Sequence, residues 1–112
     1  RKTIVMTSQP AHFANFSDPN LLFTADNPEK ILTDLNEQGI KQVALCGGAS
    51  IYNLFLQKGL IDRMFLTIEP FIFGSGVKFV SGSVGQIQSK FILVSQEKLN
   101  DAGTLVLEFK KA

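Results

Sequence analysis

The chain has 112 residues, of which 45% are hydrophobic and 19% charged. That balance suits one compact domain with a true core and argues against disorder. Eleven Lys and Arg stand against ten Asp and Glu, a formal charge of +1, which argues against nucleic acid or an anionic membrane surface as partner. No apolar run approaches the ~18 residues that cross a bilayer, and a single cysteine, Cys46, leaves no internal disulfide and no clustered zinc site. The expectation is a cytoplasmic protein that holds no metal.

Arg1-Lys2-Thr3-Ile4-Val5-Met6 enters an apolar run almost at once, which suggests that the natural domain begins earlier. Thr3 to Thr7 reads as a buried strand, stopped by Ser8-Gln9-Pro10. Residues 10 to 20 carry loop chemistry, and Leu21 to Phe23 is a short strand. Asn27-Pro28 reads as a helix N-cap followed by proline at the first helical position. Ile31, Leu32 and Leu35 form the apolar stripe of that helix, and Gly39 marks its end. Gln42 to Cys46 reads as a further strand. Gly47-Gly48 then leads into a helix from Ala49 to Lys58, mostly buried and ended by Gly59. Arg63 to Glu69 alternates, with Met64, Leu66 and Ile68 on one face and Phe65, Thr67 and Glu69 on the other. Gly74, Gly76, Gly82 and Gly85 punctuate the next stretch. Lys90 to Lys98 and Thr104 to Lys110 form an antiparallel hairpin around Asn100-Asp101-Ala102-Gly103. Strands alternating with helices predict an α/β fold with three layers, a mainly parallel sheet and a C-terminal antiparallel hairpin.

The strongest chemical signal is Leu45-Cys46-Gly47-Gly48-Ala49-Ser50. Glycines admit a phosphate close to the backbone, and a helix start offers unpaired N–H groups with a partial positive charge. Ser50 adds a hydroxyl. The same residues also suit a plain strand-to-helix turn, since the pattern is neither G-x-G-x-x-G nor a Walker loop. Thr7-Ser8-Gln9 closes the first strand, and ligands of open α/β sheets sit beyond carboxyl ends; the segment also suits a simple turn. Thr67 and Glu69 share a face, where a hydroxyl can orient a substrate or a carboxylate. His12 reads as a solvated loop residue and Cys46 as a buried, inert thiol. The ten Phe residues stand mostly at core spacing, and Phe71-Ile72-Phe73 also suits an oligomer contact. No general acid or base, no catalytic triad and no metal-ligand spacing is visible.

Three segments together resemble a known family: Val5-Met6-Thr7-Ser8-Gln9-Pro10, the run from Leu45 through Gly47-Gly48 and Tyr52 to Leu56, and Leu60-Ile61-Asp62-Arg63 through Thr67 to Pro70. They are similar to the dihydrofolate reductase-like superfamily, and Phe73-Gly74-Ser75-Gly76 with Phe79 is closer to its riboflavin-biosynthesis reductase (RibD C-terminal) branch. The resemblance implies an NADPH-dependent reductase acting on C=N or C=O of a small heterocyclic or ribosylamino substrate. It implies that Gly47, Gly48, Ala49, Ser50 and Ile51 hold the cofactor pyrophosphate, with Tyr52 towards the nicotinamide. Thr7, Ser8 and Gln9 would face the adenosine and its 2′-phosphate. Thr67 matches a threonine that supports the active-site carboxylate, and Arg1 stands where dihydrofolate reductase has a substrate-binding arginine. Cys46 occupies a substrate-side position where the riboflavin enzyme commonly carries an acidic residue, which favours a paralogue with another substrate.

The family's first central strand, its loop, a helix and the next strand find no counterpart in residues 1–112. Interior strands left unpaired each cost about 1–3 kcal/mol per buried group, against about 5–15 kcal/mol of total stability. The expectation is therefore the C-terminal portion of a longer reductase domain, working as a homodimer or completed by another chain. The rival is a non-catalytic half-domain that only completes another chain's sheet.

Overall fold

The computed structural model describes residues 2–80 and 90–112, so Arg1, Gly82 and Gly85 lie outside the described residues. The chain divides into two compact units, Arg1–Val43 and Ala44–Ala112.

In the first unit, β1 (Thr3–Met6) and β2 (Leu21–Thr24) pair in parallel, Thr3 opposite Leu21 and Met6 opposite Thr24. The Thr7 N–H carries the pairing one step further, donating to the Thr24 carbonyl at 2.9 Å. Strand alternation sends Ile4 and Leu22 to one face, and Val5 and Phe23 to the other. Ile4 and Leu22 meet Ile31 and Leu35 of α1 (Pro28–Glu37) around a small cavity of about 60 Å³. A 3₁₀ turn, Pro10–Phe13, brings Phe13 flat against Phe23, with centroids 4.5 Å apart and planes 2° from parallel. Both faces of the parallel pair are thereby partly covered, with Leu22 left 47% exposed, short of the full cover that parallel sheets usually have.

Helix α1 forms where its sequence places it. The Asn27 side chain accepts from the Lys30 N–H at 2.8 Å, and Pro28 takes the first helical position, where no N–H is needed. At the far end Gly39 adopts φ +82°, and the N–H groups of Gly39 and Ile40 return to the Asn36 and Leu35 carbonyls, each at 3.0 Å. That Schellman closure satisfies carbonyls the helix leaves open, and its left-handed residue favours glycine. On the solvent side Lys30 meets Asp34 at 2.7 Å and Asp26 at 3.6 Å. The Asp34 hydrogen bond, helped by the Asp26 and Asp34 charges, raises the Lys30 ammonium above its ordinary value. We expect Asn27→Ala to cost about 1 kcal/mol, read as a lower urea midpoint at constant m.

The second unit contains α2 (Ala49–Gln57) and an antiparallel sheet of β3 (Arg63–Ile68), β4 (Phe91–Lys98) and β5 (Leu105–Lys111), in the order β3-β5-β4. Met64 faces Phe109 and Leu66 faces Leu107, so the half-buried side chains of β3 line one face with these β5 partners, while β5 is half-buried on both faces. Phe65 lies opposite Glu108 on the other face, where Glu108 receives Arg63 at 2.6 Å and the Ser95 hydroxyl at 3.3 Å. Between Leu93 and Ser95 the β4 register slips, a bulge that swaps which β4 residues share each face. Helix α2 ends in the same closure as α1: Gly59 has φ +65°, and Leu60 N–H donates to the Phe55 carbonyl at 3.0 Å. The Lys111 ammonium donates to the Gly59 carbonyl at 2.6 Å, a cation at the negative end of the helix. By alternation Lys111 stands on the same sheet face as Leu107 and Phe109, so this contact ties the end of α2 to that face.

The α/β class, both helices, the parallel pair and the C-terminal hairpin match the sequence reading. Four details differ. Residues 42–46 form no strand and make no ladder among the described residues, and Val43 is exposed. An apolar, β-branched run becomes a strand only where a neighbour accepts its N–H and C=O groups. Cys46 is exposed, not buried. Thr67 is exposed at the end of β3, and Phe16, Phe65, Phe71, Phe73 and Phe79 are exposed although their spacing suits a core. Periodicity marks which side chains share a face; it does not say whether that face meets anything. No helix among the described residues is long and apolar enough to cross a membrane.

Candidate functional site

The two helix starts differ. Asn27 caps α1 with its own side chain, whereas Gly48 precedes α2 with no side-chain cap. The first turn of α2 closes through Tyr52 N–H and the Gly48 carbonyl at 3.2 Å. The N–H groups of Ala49, Ser50 and Ile51 are thus left without a partner among the described residues, the usual condition of donors at a helix start. They are the donors that an anion takes up.

The two glycines have separate reasons to be there. A Cβ on Gly47 would sit 3.0 Å from the Ile51 Cβ and 3.1 Å from its Cγ2, so the helix closes directly over this residue. The Gly47 N–H donates to the Tyr52 hydroxyl at 3.3 Å, which leaves the phenol proton to donate elsewhere. A Cβ on Gly48 would meet nothing within 4 Å. Gly47 is therefore favoured by packing, since a Cβ there needs Ile51 to give by a few tenths of an ångström, while the space over Gly48 is open. The cradle suits an anion with its charge spread over several oxygens, such as a diphosphate. Gly47→Ala is expected to destabilise by about 1–3 kcal/mol through overpacking against Ile51, and Gly48→Ala to change stability by less than about 1 kcal/mol; urea titration of the two variants compares them.

The sequence-nominated residues fall into three groups. Cys46, Gly47, Gly48, Ala49, Ser50, Ile51 and Tyr52 form the turn and first helical turn of α2, with Cys46 and Ser50 exposed. Thr7, Ser8 and Gln9 follow β1 in the first unit, where Gln9 N–H donates to the Thr7 hydroxyl at 3.2 Å and Ser8 is exposed. Thr67 stands alone on β3, paired with Val106, on the sheet face opposite the one tied to α2.

Three features escape a reading by sequence. Thr104 is 4% exposed; its hydroxyl donates to Glu69 Oε2 and accepts from Asn100 Nδ2, both at 2.8 Å. Asn100 Oδ1 in turn accepts the N–H groups of Gly103 and Thr104 at 3.0 and 3.2 Å. Asn53, within α2, carries a buried Oδ1 without a hydrogen-bond partner, a deficit of about 1–3 kcal/mol. Phe13, Phe16 and Phe23 form an aromatic cluster beside the Thr7-Ser8-Gln9 turn. The turn signal Asn100-Asp101-Ala102-Gly103 foreshadows only part of the first.

Against known proteins, the chain resembles YyaP of Bacillus subtilis strain 168, an uncharacterized protein, at 34% identity over 62 residues, 55% of this chain and 33% of that protein. A protein from Shewanella sp. PV-4, described under riboflavin biosynthesis, superposes over the whole chain and 61% of its own, with TM-score 0.80 and 20% identity. A Thermotoga maritima diaminohydroxyphosphoribosylaminopyrimidine deaminase/5-amino-6-(5-phosphoribosylamino)uracil reductase superposes over 99% of this chain and 31% of its own, with TM-score 0.70 and 24% identity. The chain thus spans about a third of the curated relative and under two thirds of the Shewanella protein. The two superpositions agree on the dihydrofolate reductase-like α/β fold, and the sequence pattern of residues 1–105 matches one domain family throughout: the chain belongs to the RibD C-terminal domain family.

Proposed function

We propose that this chain is part of an NADPH-dependent reductase that acts on C=N or C=O of a small heterocyclic or ribosylamino substrate. The observation that carries the reading is the start of α2: three N–H groups without partners under an open Gly48, in a chain that belongs to the RibD C-terminal family. Membership of the RibD C-terminal domain family, with a likeness in fold to a 5-amino-6-(5-phosphoribosylamino)uracil reductase, supports the substrate class. The nicotinamide, when bound, supplies the hydride; the protein's part is to hold and aim it.

Within that reading Ala49, Ser50 and Ile51 offer backbone N–H groups to the diphosphate, the Ser50 hydroxyl adds a donor, and the Tyr52 phenol turns its free proton outward from Gly47. Thr7, Ser8 and Gln9 hold the adenosine side, and Cys46 lies on the substrate side. Thr67 supports the reacting carboxylate only if that carboxylate lies on its own sheet face. Titration of the intact protein with NADPH, followed by the fluorescence of the reduced nicotinamide, tests the reading: saturable binding supports it, and absence of binding for both NADPH and NADH overturns it.

A second reading has its own observation. Among the described residues the parallel sheet has the two strands β1 and β2, residues 42–46 have strand composition without a ladder, and both features suit a sheet completed by further strands. In this second reading the chain is a non-catalytic half-domain whose sheet is completed by another chain. Hydrogen exchange distinguishes the cases: amides of 42–46 that exchange slowly in the intact protein mark a completed sheet.

A further inference from the structure

We infer that the carboxylate of Glu69 and the paired rings of Phe71 and Phe73 select the flat, N–H-bearing ring of the substrate. The inference rests on the reductase reading and deepens it by naming the residues that meet that ring, all of them in the second unit.

Glu69 is held as an acceptor from two sides. Its backbone carbonyl takes the Phe71 N–H at 2.8 Å, a three-residue turn across Pro70. Its Oε2 takes the hydroxyl proton of buried Thr104 at 2.8 Å. The direction of that bond is fixed. The Asn100 side-chain NH2 donates to the Thr104 oxygen at 2.8 Å, while Asn100 Oδ1 accepts the Gly103 and Thr104 N–H groups. The Thr104 proton therefore goes to the carboxylate, and Oε2 serves as acceptor. A long side chain that otherwise samples many rotamers is arrested in this way, although it is exposed. Its second oxygen, Oε1, accepts no hydrogen bond among the described residues. No Lys or Arg among them pairs with it either. On the same sheet face, Val106 lies between Thr67 and Glu97, so the nearest charge across the strands is a second carboxylate. A fixed carboxylate with a free oxygen and no cation calls for N–H or O–H donors from a ligand.

The neighbouring rings decide the shape of that donor. Phe71 and Phe73 follow directly, with centroids 6.0 Å apart and planes 30° from parallel, and they remain 69% and 81% exposed. Two rings stacked on each other yet open to water offer a face to a third flat ring. A heterocycle lying there presents its edge, and an edge that bears N–H groups suits the Glu69 oxygen. A sugar hydroxyl satisfies the carboxylate and leaves the rings unused; an apolar ring does the reverse. The strand sets the place. β3 starts beside the end of α2, where the Lys111 ammonium reaches the Gly59 carbonyl and the Lys111 N–H reaches the Asp62 carbonyl at 2.8 Å. The extended run of β3 carries Glu69 about 20 Å from that junction. The start of α2, with its open Gly48, also lies away from it.

Ligand-observed NMR titration of the intact protein, saturated with NADPH, tests this with two probes. 6-Aminouracil carries ring and amino N–H groups; 1,3-dimethyluracil is equally flat and has none. The parent is expected to bind the first at least about tenfold tighter than the second. Glu69→Gln keeps an acceptor for Thr104 and loses the charge; it is expected to weaken 6-aminouracil about tenfold and to leave 1,3-dimethyluracil unchanged. Phe71→Leu keeps an apolar side chain and loses the ring; it is expected to weaken both probes about tenfold. The NADPH Kd is expected to stay at the parent's value in both variants. Unchanged 6-aminouracil affinity in either variant, equal affinity of the parent for the two probes, or no binding of 6-aminouracil by a parent that binds NADPH overturns the inference and leaves the reductase reading standing. Weaker NADPH binding in Glu69→Gln also overturns it, because the effect is then on the fold. A parent protein that binds neither NADPH nor NADH overturns the reductase reading and this inference with it.

Discussion

Gly48→Asp is expected to leave the fold intact and to cut dinucleotide affinity about 10- to 100-fold, the largest functional effect foreseen for this chain. The two effects have opposite signs. Gly48 is the N-cap of α2, with extended backbone and no side-chain cap, and aspartate at such a position stabilises a helix by a few tenths of a kcal/mol or more. Its side chain enters space where a Cβ meets nothing within 4 Å, so no clash offsets that gain. The same carboxylate then occupies the N–H groups of the first turn and faces any bound diphosphate. Two like charges about 4 Å apart repel by about 4 kcal/mol at an effective dielectric of 20, and solvent screening at this exposed turn reduces that. The measurement is paired: a urea midpoint at or above the parent's, and an NADPH dissociation constant raised by the stated factor. Equal affinity in parent and variant removes the diphosphate from this helix.

Thr104→Val is expected to cost about 2–3 kcal/mol, the largest loss of stability among single changes that keep side-chain shape. Thr104 is 4% exposed, and its hydroxyl serves as donor to Glu69 and acceptor for Asn100. Valine keeps the volume and strands both partners. A hydrogen bond to a charged group contributes about 1.5–3 kcal/mol; Glu69 is itself exposed and regains water, which holds the loss to the range given. Thr104→Ser, which retains the hydroxyl, is expected to lose less than half as much. The network also shapes the chain beyond β3. Glu69 lies one residue past the Ile68–Leu105 pair, and its carbonyl accepts the Phe71 N–H at 2.8 Å across Pro70. Chemical denaturation of the parent and both variants, at unchanged m, gives the comparison; equal midpoints for valine and serine would show that the hydroxyl carries no stability.

Much of the local architecture is legible in the residues because it depends on neighbours in the chain. Asn27-Pro28 and Gly39 bracket α1, and Gly59 closes α2, through caps built from a few consecutive residues. The hairpin turn before Thr104 is set by Asn100 and Gly103, whose φ is +103°. The glycine pair before α2 is likewise visible as a motif, and with the flanking segments it points to the family that the comparisons confirm.

What the residues by themselves determined is therefore the helices and strands other than 42–46, the caps of the helices, the faces of each strand and the family. Tertiary structure alone decided the rest: that 42–46 lies outside any ladder among the described residues, that β4 is bulged near Val94, that Ile51 crowds Gly47 while Gly48 stays open, and that Phe16 rests exposed on two stacked rings. The reason is physical. Caps and alternation arise from contacts within a few residues, whereas strand pairing, close packing over a glycine and the burial of a ring depend on groups far apart in sequence, whose meeting no local pattern encodes.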